Sequence, residues 1–65
     1  MNAAIITSAN FLPTAQQLTY RQLQQLCKRA REMGYINKGF KVNQKRSILE
    51  NMAAAIYLRL NQAQA

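Results

Sequence analysis

The run Leu18-Thr19-Tyr20-Arg21-Gln22-Leu23 constrains this chain most, because it marks the start of a helix by two independent signals. Thr19 is a good N-cap, and Gln22 stands at the capping-box spacing. The threonine oxygen can accept from the Gln22 N–H while the glutamine side chain reaches back to the cap N–H. Leu18 before the cap and Leu23 four residues after it have the spacing of a hydrophobic staple. Leu23, Leu26, Cys27, Ala30 and Met33 then recur at steps of three and one, which is one helical face. Gly34 follows and suits the left-handed position that closes a helix.

A second helix is predicted from Asn43 as N-cap to about Leu60. Leu49, Met52, Ile56 and Leu60 step by three, four and four, and Ile48 and Ala55 widen that stripe. Tyr57 and Leu58 fall outside it, so the end of the helix is apolar on more than one side. Between the helices lies a connector, Tyr35 to Val42. Asn37-Lys38-Gly39 is a turn signal. Tyr35, Ile36, Phe40 and Val42 are too apolar for a solvated loop and predict an ordered, extended segment folded over the helices.

Residues 1–17 carry no charge and hold the turn formers Ser8, Asn10, Pro13 and Thr14. Ile5, Ile6, Phe11 and Leu12 either dock on the domain or belong to a frayed arm. The expected class is all-α: two main helices joined by an ordered extended loop, preceded by an amino-terminal arm. The arm covers 1–17, the helix–loop–helix domain 18–61 and a tail 62–65.

At 65 residues there is room for one domain. A chain of this size buries only about 60% of the surface it exposes when unfolded. Cys27 is the sole cysteine and histidine is absent, so neither an intrachain disulfide nor a zinc-ligand set is expected. A single thiol, expected to be buried, fits a reducing cytoplasm. Ala3 to Ile6 is too short for a signal-peptide core, and Met52 to Leu58 is too short to span a bilayer. No cofactor is expected. Catalysis has no support either: there is no histidine, no serine with a candidate base and no phosphate-binding glycine loop.

Charge is the strongest compositional signal. Nine Lys and Arg face two acids, a net charge of +7. A field of one sign points to an anionic partner. Seven of the nine cations, Lys28, Arg29, Arg31, Lys38, Lys41, Lys45 and Arg46, lie in one window opposed only by Glu32. Lys45 and Arg46 fall in the expected first turn of the second helix, at the positive end of its dipole. Each cation there is unfavourable by roughly 0.3–1 kcal/mol. Breaking that local rule points to function. An anion at the helix start would meet free backbone N–H groups, the dipole and both side chains. The plainer alternative is that both side chains simply enter water. Tyr35 and Phe40 are read as core residues ahead of base-stacking ones, and Cys27 as a small buried hydrophobe.

The pattern resembles the SAP motif, a helix–extended loop–helix DNA-binding module. Leu18-Thr19, Leu23, Leu26, Cys27-Lys28 and Gly34 are similar to that family's Leu-Thr start, its leucine spacing, its Cys-Lys pair and the glycine closing its first helix. Asn43-Gln44-Lys45 stands where the family has Gly-x-Lys, with Ile48, Leu49 and Met52 at apolar positions of the second helix. The likeness covers about residues 18 to 53. It implies DNA binding through the loop and the start of the second helix, with Lys45 the best positional match.

The expected function is therefore a non-enzymatic nucleic-acid-binding module, double-stranded DNA preferred and RNA possible. The expected site is Lys38, Lys41, Asn43, Lys45 and Arg46, with Lys28 and Arg31 beside them. The competing reading is a protein-interaction or regulatory adaptor, with a homodimer as one form of it, using the apolar arm with Tyr57 and Leu58. Membrane-surface binding ranks last, because the cations cluster at a loop and helix ends and do not line one long face.

Overall fold

The structure is a computed structural model, and residues 6–63 are described. Residues 1–5, including Ile5 of the arm, and residues 64 and 65 of the tail lie outside the described part. All regular structure among the described residues is helical. A 3₁₀ turn, Ser8–Phe11, leads into α1 (Leu12–Gln16), then α2 (Tyr20–Glu32) and α3 (Arg46–Ala63). Among the described residues no helix is long and apolar enough to cross a membrane.

From Thr7 onward the arm is built structure. The Thr7 N–H donates to Asn10 Oδ1 at 2.8 Å and opens the 3₁₀ turn. Pro13 sits in the first turn of α1, where its missing N–H breaks no helical bond. Ala15 is fully buried, and the Phe11 ring lies 6.4 Å from that of Tyr57 on α3. The arm thus packs against part of the side of α3 that Tyr57 was expected to offer to a partner, and Tyr57 stays half-buried. Ile6, by contrast, is exposed.

Helix α2 begins as its sequence dictates. The Gln22 N–H donates to Thr19 Oγ1 at 3.1 Å, and the Thr19 N–H donates to Gln22 Oε1 at 2.8 Å. It ends in a Schellman closure: Tyr35 N–H donates to the Ala30 carbonyl, Gly34 N–H to that of Arg31, and Gly34 has φ +85°. Only glycine takes that angle without strain.

Helix α3 starts at Arg46, two residues later than an Asn43 cap would place the start, and extends to Ala63. The reason is local. Asn43 Oδ1 accepts from Gln24 Nε2 at 3.4 Å, and the Gln44 carbonyl accepts from the Tyr20 hydroxyl at 2.6 Å. This stretch is thereby committed to α2, and the Lys45 carbonyl becomes the first acceptor of α3, taking the N–H groups of Ile48 and Leu49.

The buried face also shifts. Leu49, Ala53, Ala54 and Ile56 are buried, whereas Ile48 and Ala55, expected to widen the stripe, are exposed. Helix α3 packs against α2 on one side and against the 3₁₀ turn and α1 on the other. Two-sided packing favours alanines at the close approaches. Leu23, Cys27 and Ala30 of α2 complete the core, with Tyr35, Ile36, Phe40 and Val42 of the connector packed on it. The connector carries the chain back to the start of α2, so α2 and α3 run in the same direction. Tyr20 meets Gln44 at one end, Cys27 Sγ lies 4.0 Å from the Leu49 carbonyl midway, and Arg59 lies over the Tyr35 ring at the other end.

Candidate nucleic-acid interface

The connector is laced to one stripe of α2. Tyr20, Gln24 and Arg31 are four and seven residues apart, so they share a helical face. Their side chains donate to alternate connector carbonyls. Arg31 Nη1 donates to Phe40 at 2.9 Å, Gln24 Nε2 to Val42 at 3.2 Å and the Tyr20 hydroxyl to Gln44 at 2.6 Å. This fixes which side of the segment faces inward. Phe40, Val42 and Gln44 are half-buried, while Lys41, Asn43 and Lys45 are exposed.

The cations of the connector therefore line its outer side. Lys38 stands at the tip of a turn closed by the Phe40 N–H on the Asn37 carbonyl, 3.0 Å, and by the Gly39 N–H on Asn37 Oδ1, 2.7 Å. Lys28 is exposed and lies one helical turn beyond Gln24, which touches Val42 and Asn43, so it flanks the same segment. Among the described residues the ion pairing consists of Arg46 with Glu50; the ammonium groups of Lys28, Lys38, Lys41 and Lys45 face water.

Arg46 takes a different course from Lys45. Its Nε donates to Glu50 Oε2 at 2.6 Å, and its Nη2 donates to the carbonyls of Gln16, at 2.9 Å, and Leu18. The guanidinium thus serves the carboxyl end of α1, where dipole and unsatisfied carbonyls favour a cation. This contact accounts for an arginine at the start of α3 without any bound anion. Lys45, just outside the helix, has no such partner. Arg31 is similarly occupied, holding the connector at Phe40.

Removing the Arg46 clasp should loosen the arm. For Arg46→Ala we expect a loss of about 1–2 kcal/mol, since hydrogen bonds from a charged donor are worth roughly that once partial exposure is allowed for. In a domain this small each 1 kcal/mol corresponds to a melting shift of about 4–8 °C. An unchanged melting curve would show the clasp to be energetically idle.

The aromatic residues of the connector are engaged with the fold. Tyr35 and Phe40 are half-buried against the core, and the Arg59 guanidinium carbon is 5.6 Å from the Tyr35 ring centroid, within cation–π range. Cys27 is fully buried, and desolvation pushes its thiol pKa up, which keeps it protonated near neutral pH. The lacing residues Tyr20, Gln24 and Arg31 were missed as a set by the reading of the sequence, which gave Arg31 to the nucleic-acid site. Their signal was there: a polar stripe at helical spacing beside the apolar one.

Comparison with models of protein families, with curated proteins and with solved structures finds no match to this chain.

Proposed function

We propose that the chain is a non-enzymatic nucleic-acid-binding module that grips the phosphate backbone with the outer side of its connector. The observation carrying this reading is the division of the connector into two sides. The inner side is fixed to α2 through three carbonyls, and the outer side presents Lys38, Lys41 and Lys45 to water. Cations held on a tethered backbone lose less freedom on binding than cations on a free loop. Lys28 extends the track, and Asn43 between Lys41 and Lys45 offers an amide. Arg31 contributes by holding the segment in place, and Arg46 by clasping the end of α1 to the start of α3.

Double-stranded DNA is preferred over RNA on the resemblance to the SAP motif, whose helix–loop–helix order and loop position this reading shares. A reducing cytoplasm belongs to the same reading, through the single buried thiol. Phosphate contacts position a protein without reading bases, so weak sequence preference is expected.

The test is a salt series on a short duplex. Engagement of three to five phosphates predicts that log affinity falls against log salt with a slope of about −3 to −4.5. A flat dependence would remove the mechanism. The same series with single-stranded RNA decides between the two nucleic acids.

A further inference from the structure

We propose that the trough on the far side of α2 docks an acidic amphipathic helix from a partner protein. Leu26 and Met33 stand two residues beyond Gln24 and Arg31, about 200° further round the helix, so this surface faces away from the laced connector, with Lys28 on the edge between the two. Together with Leu18 and Tyr57 they line a depression of about 1060 Å³ along the groove between α2 and α3. Met33 is 60% exposed, the most exposed large apolar side chain among the described residues. The depression is open along its side, which suits a polypeptide laid across it better than an enclosed small molecule. Along α2 the lining runs from Gln22 to Met33, about 16 Å at 1.5 Å per residue and the length of a helix of about three turns, with Leu26 and Met33 as its apolar points among glutamines and charged residues. Leu26 and Met33 are seven residues apart, the two-turn spacing that another helix can match with its own apolar face. A methionine at such a surface adapts to the side chain it meets.

Charge selects the occupant. Lys28 and Arg29 stand on the rim against Glu32 alone, and the chain as a whole carries +7. A second copy would bring +7 against +7, whereas a helix with acids flanking its apolar face is attracted.

The probe is a labelled 14-residue helical peptide with leucines on one face and glutamates elsewhere, titrated with the full chain by fluorescence anisotropy. Its control carries lysine in place of every glutamate. The acidic peptide should bind in the micromolar range and the control should not bind. Amide shifts should centre on Leu26, Met33 and Tyr57. Met33→Glu should weaken binding about tenfold, as should the exposed rim variant Arg29→Glu, while Lys41→Glu with Lys45→Glu should leave it within about twofold. Shifts centred on Lys38 to Lys45, or affinity indifferent to Met33→Glu and Arg29→Glu, would reduce the effect to bulk charge attraction and overturn the proposal. A dimer seen by sedimentation and lost in Met33→Glu would assign the trough to a second copy and overturn it equally.

Discussion

Duplex affinity should fall about 100-fold at moderate salt when Lys41 and Lys45 are both changed to glutamate, because two phosphate contacts become two repulsions and each tenfold corresponds to about 1.4 kcal/mol. Both side chains are exposed, so the helical signal and melting temperature of this variant should stay near wild type. The salt slope should flatten by about two units in the same experiment, since two fewer phosphates release counterions. Arg46 is deliberately left intact. Its guanidinium holds the end of α1, and reversing it would mix unfolding with loss of contact. Full retention of affinity in the double variant would take the connector out of the interface.

Leu49→Ala should have the largest effect on stability. Leu49 is fully buried in the same core cluster as Cys27, whose Sγ lies 4.0 Å from the Leu49 carbonyl. Deleting such a leucine typically costs about 3–5 kcal/mol, the lost transfer energy plus the cavity left behind. A core in a chain of this size rarely supplies more than about 3–5 kcal/mol in total, so the variant should be largely unfolded at 25 °C. Ile48→Ala next to it removes a side chain that is 40% exposed and should change stability far less. Equal effects at the two positions, followed by circular dichroism under urea, would contradict the assignment of the buried face.

Local signals were legible where sequence neighbours supplied them. Thr19 and Gln22 are three residues apart, and their reciprocal bonds form as the spacing predicts. Gly34 closes α2 with the positive φ its place implied. The all-helical class followed from apolar periodicity, and the ordered connector from four residues too apolar for a solvated loop. What escaped the sequence was set by residues far along the chain. The start of α3 moved because Tyr20 and Gln24 claim the backbone and side chain of residues 42 to 44 from 18 to 24 positions away. Arg46 looked like a violated dipole rule because the carbonyls that attract it lie 28 and 30 residues upstream. The same distance hid the packing of Phe11 against Tyr57. For the site, the clustering of cations was visible, but their sorting was not. Only the lacing separates Lys38, Lys41 and Lys45, which face outward, from Arg31 and Arg46, which hold the fold.

Placing α2 and α3 in the same direction has a consequence for how the molecule assembles. Its cross-links join residues roughly two dozen apart: Cys27 to Leu49 is 22, Tyr20 to Gln44 is 24 and Arg46 to Leu18 is 28. An antiparallel helical hairpin would instead gain its first contacts next to the turn and zip outward. Here neither helix gains a neighbour until the whole intervening segment has been laid down, so a loop must close before any core forms. Cutting the chain at Gly39 would leave two peptides, each holding half of every cross-link.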